Sequence, residues 1–233
     1  MARPGGKLAS RPLHFIWMAD CSGSMSVNGK IQQLNHAISE ALPHMRRVAG
    51  ENPNAEVLVR ALAFSNGARW VTPHPTPVAD FQWPPLTVEE RALTDMGKAF
   101  SMVARELHIP PMTNRALPPV LILVTDGQPT DDWQHGLAEL KNEPWGQRAV
   151  KIGIAIGGDA DHHVLQRFID HPELTPLTAN NSEELVRFIR WASTAVVQSA
   201  SAVAAAGSAA PAGGAVPIPK PPPAASSASA IVF

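Results

Sequence analysis

Apolar residues occur along the chain in short unbroken runs, each of which stops at a polar or glycine-rich loop. The run at 13–19 stops at Asp20, and the run at 119–124 stops shortly before Asp126. Short apolar runs rich in branched and aromatic residues are typical of strands buried on both faces of a parallel sheet. Similar runs at 57–64, 149–156 and 174–179 complete the predicted set of strands.

The stretches between these runs have apolar residues at helical spacing, three or four positions apart. The pattern is present at Ile31, Leu34, Ile38, Leu42, Met45 and Val48, and in segments that begin near Leu93, Trp133, Asp161 and Ser182. Strands that alternate with helices predict an α/β fold: a Rossmann-like, doubly wound, mostly parallel central sheet with helices on both faces. The Asn66-Gly67 pair predicts a tight hairpin, which adds one antiparallel edge strand.

The segment 73–85 is too rich in proline to form regular structure, since it contains five prolines together with Phe81 and Trp83. We expect a loop that lays its aromatic side chains against the domain near Thr94. The alternative is a recognition surface beside the site described below, because exposed aromatic residues are typical of interfaces.

Composition divides the chain into three parts. Residues 1–12 are predicted to form a flexible arm, residues 13–198 a folded domain, and residues 199–233 a disordered tail of Ala, Pro and Ser with an apolar end at 230–233. That apolar end is of the kind that docks on a partner by adding to its sheet or filling its groove. A membrane helix at 191–210 is a weaker alternative, because Ser, Thr, Gln and Gly dilute its hydrophobicity.

Overall charge and cysteine content limit the classes of partner. The formal net charge is −1, so no basic patch indicates nucleic acid or an anionic membrane as a partner. The one cysteine, Cys21, cannot form an internal disulfide, which fits a reducing compartment and predicts a cytoplasmic location. The basic residues before the first apolar run resemble the start of a signal peptide, but the run is short and is better explained as a strand.

Oxygen-bearing side chains are concentrated where two predicted strands end. Asp20, Ser22 and Ser24 follow the first strand, Asp126 follows the strand at 119–124, and Thr94 lies where the next helix opens, with its hydroxyl in the first turn. Ligands collect at the carboxyl ends of strands where the winding direction of an open sheet reverses. Carboxylate and hydroxyl oxygens without imidazole or thiolate suit Mg²⁺ or Mn²⁺ better than zinc. The sequence therefore predicts that these loops converge on one hard cation.

The same loops also have purely structural explanations. The Ser- and Gly-rich turn after Asp20 is of the kind that caps a following helix. Thr130 or Asp131 is predicted to cap a short helix at 133–140, which gives Asp131 a role other than metal binding.

The order and spacing of these residues resemble the metal-ion-dependent adhesion site (MIDAS) of von Willebrand factor type A (vWA) domains. The matching motifs are Asp20-x-Ser22-x-Ser24, Thr94 in the pattern Thr-x-x-Gly-x-Ala, and Asp126-Gly-x-Pro-Thr-Asp. The resemblance implies that Ser22, Ser24 and Thr94 bind Mg²⁺ through their hydroxyls, while Asp20 and Asp126 hold metal-bound waters or neighbouring ligands. It further implies an open coordination position that a partner protein fills with an Asp or Glu.

Within that family the chain is most similar to the intracellular bacterial TerY-like proteins of tellurite resistance. Ser-Gly-Ser-Met after Asp20, Phe81-Gln-x-Pro-Pro and the loop that begins at Asp126 carry this narrower resemblance. It implies a scaffold or regulator in a bacterial stress-response or defence complex, with a protein kinase and a phosphatase as partners.

Four classes of function compete on the sequence alone. The leading hypothesis is a metal-dependent binding module. A metal-dependent hydrolase or phosphoryl-processing enzyme would need a positioned base, nucleophile or second metal, and the sequence has neither Gly-x-Ser-x-Gly nor a haloacid-dehalogenase-type Asp-x-Asp after the first strand. We therefore expect no enzymatic activity. A redox sensor would need Cys21 exposed and activated. A tail-mediated assembly protein would leave the metal loop a purely structural feature.

Overall fold

The computed structural model describes residues 10–52, 54–89, 92–205, 217–223 and 233. Within these ranges the strands are β1 (Arg11–Asp20), β2 (Ala55–Ser65), β3 (Gly67–Trp70), β4 (Thr76–Pro77), β5 (Val120–Thr125), β6 (Val150–Ile156) and β7 (Leu177–Ala179). The α-helices are α1 (Lys30–Gly50), α2 (Met96–Glu106), α3 (Trp133–Asn142), α4 (Pro144–Arg148), α5 (His162–Ile169), α6 (Ser182–Trp191) and α7 (Val197–Ala205).

The strands form one sheet in the order β3-β2-β1-β5-β6-β7, with β4 also paired to β2. β1, β2, β5, β6 and β7 are parallel to one another, whereas β3 and β4 run antiparallel to β2. The predicted fold class and the predicted antiparallel hairpin are therefore confirmed. After β1 the chain winds outward through β2, and after β5 it winds the other way through β6 and β7. The crevice between β1 and β5 is thus the switch point where ligands bind in such sheets.

Two groups of helices cover the sheet. α1 packs with α6 and α7, and its apolar face is buried at the positions that the periodicity predicted. α2 packs against α3, and Phe100 of α2 stacks on Phe168 of α5 at 5.4 Å between ring centroids. The central strands are buried along nearly their whole length because helices cover both faces.

The proline-rich segment 73–85 differs from expectation in its secondary structure, whereas its aromatic side chains pack against the domain as predicted. Its residues Thr76 and Pro77 form β4, so part of it is regular. Trp83 lies edge-on to Trp17, and its indole N–H donates to Asn35 Oδ1 of α1 at 2.8 Å. Phe81 and Trp83 are 1% and 9% exposed, so they are core residues rather than a recognition surface. Burial of two large aromatic rings explains why a segment that cannot form a helix still folds onto the domain.

The carboxyl end of the folded domain also lies beyond its predicted position. α6 continues through a π-helical turn, Ala192–Val196, into α7, so the boundary at residue 198 falls inside a helix. Ala200 and Ser201 are buried at 0% and 1% exposure. A composition of small side chains of low hydrophobicity predicts a disordered tail. The same small side chains, however, allow a helix to pack closely against the core.

The predicted arm and tail lie largely outside the described residues. Arg11 and Pro12, assigned to the arm, are the first residues of β1. Of the described tail, Ile218 packs against the core and the Phe233 N–H donates to Asn180 O at 3.0 Å. Across the part of the chain that the structure describes, no helix has the length and hydrophobicity needed to cross a membrane.

Candidate metal centre

Asp20 ends β1 at the crevice and is completely buried. Its Oδ1 accepts the backbone N–H of Ser22 at 2.8 Å, and its Oδ2 accepts the hydroxyl of Thr125 at 2.5 Å. Ala19 pairs with Val124 across β1 and β5, which brings Asp20 and Thr125 to the same height. Burial raises the pKa of Asp20 from 3.8 to about 6, although its hydrogen bonds act in the opposite direction.

Two serine hydroxyls connect the first loop to the second. Ser22 Oγ and Ser24 Oγ are 3.1 Å apart, and Ser24 Oγ donates to Asp126 Oδ1 at 2.7 Å. Ser22 is buried, whereas Ser24 is exposed, so the group of oxygens is open to solvent on the side of Ser24. Asp20, Ser22, Ser24 and Asp126 thus form one continuous set of contacts at the switch point.

Thr94 lies in the loop before α2 rather than in its first turn, because the helix begins at Met96. Its backbone is clamped by Thr130: the Thr94 N–H donates to Thr130 Oγ1 at 2.9 Å, and the Thr130 N–H donates to Thr94 O at 3.0 Å. A Cβ built on Gly127 would lie 3.7 Å from both Thr94 Oγ1 and Ser24 Oγ. The two hydroxyls therefore border the same space in front of Gly127.

Asp126 is completely buried, and its second carboxylate oxygen accepts from Lys30 Nζ at 2.8 Å. Lys30 is not among the site residues predicted from the sequence. The signal was available, because Lys30 precedes Leu34 and Ile38 by four and eight residues and so lies on the apolar face of α1. A lysine on that face is buried with a partner, and the partner is a candidate metal ligand.

Asp131 has a structural role, but at a different helix from the predicted one. Its two carboxylate oxygens accept the backbone N–H groups of Gly97 and Lys98, each at 2.9 Å, and so cap the first turn of α2. The cap of α3 is Asp132, which accepts the His135 N–H at 3.1 Å. The prediction that Thr130 or Asp131 caps that helix was wrong, because the adjacent carboxylates of Asp131 and Asp132 serve two different helices.

Cys21 does not have the properties of a redox sensor. Its side chain is 0% exposed, and burial raises the pKa of the thiol to about 12. A reactive cysteine needs an accessible thiolate at neutral pH. The redox hypothesis was therefore wrong.

The chemistry of the assembled side chains fits a hard cation. Three hydroxyls and two carboxylates surround the space, and no group of three His, Cys, Asp or Glu side chains suited to a metal occurs among the residues that the structure describes. Soft or borderline metals prefer thiolate and imidazole, whereas Mg²⁺ and Mn²⁺ prefer oxygen. The structure thus assembles the residues predicted as ligands; that they bind a metal stays a prediction.

Exposed apolar side chains lie on two of the three loops that border the site. Val27, three residues after Ser24, is 52% exposed, and Leu93, directly before Thr94, is 54% exposed. A backbone hydrogen bond from Gly23 N to Ala92 O at 3.5 Å connects the two loops. Val27 and Leu93 thus place exposed apolar area on two of the loops that carry candidate ligands.

No protein-family model matches the sequence, and a search among curated proteins found no match. Solved structures do match. A von Willebrand factor type A protein from Catenulispora acidiphila is 17% identical with a TM-score of 0.57, and 80% of this chain covers 43% of it. Proximal thread matrix protein 1 of the mussel byssus, solved with a zinc-occupied MIDAS motif, is 18% identical with a TM-score of 0.59 over 84% of this chain and 49% of that protein.

The pilus adhesin SpaC from Lactobacillus rhamnosus GG, in its open conformation, is 14% identical with a TM-score of 0.61 over 78% of this chain and 30% of the adhesin. This chain spans less than half the length of each of the three proteins. At these identities the likeness establishes the fold. The chain has the Rossmann-like α/β fold of vWA domains.

Proposed function

We propose that this chain is a metal-dependent protein-interaction module. Ser22, Ser24 and Thr94 would hold Mg²⁺ or Mn²⁺ through their hydroxyls, and Asp20 and Asp126 would support it with their carboxylates. The observation that carries the proposal is the continuous set of contacts from Asp20 to Asp126 at the switch point, with the Thr94 hydroxyl bordering the same space. The bound metal would supply a positive charge that a carboxylate from another protein can reach.

Neighbouring residues would hold the ligands in place. The Thr125 hydroxyl fixes one oxygen of Asp20, and Thr130 fixes the backbone of Thr94 from both sides. Second-layer contacts of this kind set the orientation of metal ligands and strongly affect metal affinity. These contacts would restrict the side chains and backbone that present the ligands, which lowers the entropic cost of binding.

The surroundings of the site favour a protein as the ligand. Val27 and Leu93 offer exposed apolar area on two of the loops that carry the oxygens, and Ser24 leaves the site open to solvent. A partner segment with an acidic residue next to bulky apolar residues matches this surface. The zinc-occupied MIDAS of the mussel protein and the adhesin among the similar structures are in keeping with this proposal.

We propose binding rather than catalysis, because hydrolysis or phosphoryl transfer at a metal also needs a positioned base, nucleophile or second metal. The side chains that border the space are hydroxyls and carboxylates already engaged with one another. The resemblance of the motifs to TerY-like proteins supports a cytoplasmic role in a bacterial stress-response or defence complex, with a kinase and a phosphatase as partners.

Replacement of Ser24 by Ala tests the proposal, with Ser26→Ala as the matched control. Ser26 lies two residues away, is exposed, and bonds only locally to Gly23 O at 2.7 Å. Isothermal titration calorimetry with MgCl₂ should show binding to wild type and to Ser26→Ala, and a loss of at least about tenfold in affinity for Ser24→Ala.

Partner capture from a bacterial lysate then tests the second half of the proposal. The same protein should be retained in Mg²⁺ by wild type and Ser26→Ala, and released by chelator or by Ser24→Ala. If capture is indifferent to both chelator and Ser24, the metal loop is structural and the interaction uses another surface.

A further inference from the structure

The buried ion pair between Lys30 and Asp126 lies inside the candidate metal site. Lys30 Nζ contacts one oxygen of Asp126 at 2.8 Å, while Ser24 Oγ contacts the other at 2.7 Å. The two side chains are 6% and 0% exposed, so water screens their attraction very little. One carboxylate is therefore shared between a lysine and a predicted metal ligand.

Helix stability does not explain this lysine. Lys30 is the first residue of α1, where the positive end of the helix dipole disfavours a cation. The left-handed Gly29, at φ 69°, turns the chain so that the helix begins there. The ammonium group also lies close to the loop after β6, since a Cβ built on Gly157 would be 3.9 Å from Nζ. Among the features named here, only the contact with Asp126 explains the position of the Lys30 ammonium group.

We propose that Lys30 is a tethered cation that competes with the metal for Asp126 and so sets the affinity of the site, an inference that rests on the proposed function. The two carboxylates and the ammonium sum to −1, whereas the carboxylates alone would give −2. A divalent ion that enters the site meets the charge of Lys30 at short range in a buried environment, which weakens its binding.

The same charge arrangement couples the metal to the partner. A partner carboxylate brings a further negative charge, which offsets Lys30 and strengthens the hold on the metal. By linkage the metal strengthens the binding of the partner by the same factor. Lys30 thus keeps metal affinity low when the domain is free and makes metal binding depend on the partner.

Substitution of Lys30 by Met and by Gln tests this role, with Lys98→Met as the matched control. Lys98 also pairs with an aspartate beside the site, Asp95, at 2.5 Å, but it is 62% exposed and contacts no candidate ligand. Gln keeps a donor for Asp126 without the charge, so a folded variant remains even if Met leaves Asp126 unpaired. Folding of each variant is verified by circular dichroism, and Mn²⁺ binding is measured by electron paramagnetic resonance of the free ion.

The expected result is that Lys30→Gln, and Lys30→Met where folded, bind Mn²⁺ at least about tenfold tighter than wild type, while Lys98→Met is unchanged. Equal or weaker binding by Lys30→Gln, with normal binding by wild type, would overturn the competition and leave the proposed function standing. Binding by Lys30→Gln but not by wild type would support competition and overturn metal dependence of the native chain. Failure of every variant to bind would overturn both.

Discussion

Replacement of Asp20 by Asn should stabilise the metal-free protein while it removes metal binding. Asp20 is a carboxyl group with no exposed surface, and burial raises its pKa from 3.8 to about 6. At neutral pH the folded protein therefore holds a buried carboxylate. The ionised group has a lower free energy in the unfolded chain, where water solvates it. Asn is nearly the same size and is never charged.

The size of the effect follows from the pKa values. The difference between 3.8 and about 6, at 1.36 kcal/mol per pH unit, corresponds to about 3 kcal/mol of folding free energy at neutral pH. Between these two values the folded state binds a proton that the unfolded state does not, so stability falls as pH rises and the cost is complete above about pH 6. Asn Oδ1 can accept the Ser22 N–H and its Nδ2 can donate to Thr125, so about 1 to 3 kcal/mol of the gain should survive.

Urea unfolding followed by tryptophan fluorescence measures this difference. In chelator at about pH 7.5, Asp20→Asn should be more stable than wild type, and the advantage should shrink towards zero near pH 4. Excess MgCl₂ should stabilise wild type, by about 2.7 kcal/mol at a hundred times its dissociation constant, and leave Asp20→Asn unchanged. Asp80→Asn, which alters an exposed carboxylate, is the control and should match wild type.

Two results would contradict this prediction: lower stability of Asp20→Asn than of wild type in chelator at about pH 7.5, or a stability advantage that does not depend on pH. Either outcome would mean that hydrogen bonding, rather than burial, dominates the energetics of this carboxylate. Other groups titrate over the same range, but they do so in both proteins and cancel in the difference.

Two further outcomes are expected. Burial, assisted by the charge of Arg60, lowers the pKa of His14 from 6.5 to about 4, so the contribution of His14 to stability is complete above pH 6.5 and should fall by about 3 kcal/mol as pH drops to about 4. Urea unfolding at the two ends of that range should show that wild type loses stability relative to His14→Gln, because groups that titrate in both proteins, Asp20 among them, cancel in the difference. Gly127→Ala would place a methyl group 3.7 Å from the Ser24 and Thr94 hydroxyls, so it should fold normally yet bind Mg²⁺ at least about tenfold more weakly by calorimetry; unchanged affinity would place the metal elsewhere.

Local patterns were sufficient for the elements of the fold and for the position of the two aspartates. The apolar runs that end at Asp20 and just before Asp126 became adjacent parallel strands, because strands buried on both faces have a characteristic composition. The Asn66-Gly67 pair correctly predicted the hairpin between β2 and β3, since a tight turn needs those residue types whatever surrounds it. Strand ends on one edge of a sheet meet, so the convergence of the loops could also be predicted.

Contacts between distant parts of the chain could not be predicted from local patterns. Lys30 and Asp126 are 96 residues apart, and Asp131 caps a helix that begins before it in the chain, 34 residues from Gly97. α7 extends past the predicted boundary because burial of Ala200 depends on how closely a small residue can approach the core.

The sequence by itself thus determined the parallel strands, the hairpin, most of the helices and which oxygens gather at the switch point, since each of these depends on short-range periodicity or on the ends of strands. Only the tertiary structure decided the charge of the site. Electrostatic balance at Asp126 depends on which side chain from another element reaches it through the core, and no local pattern records that distance.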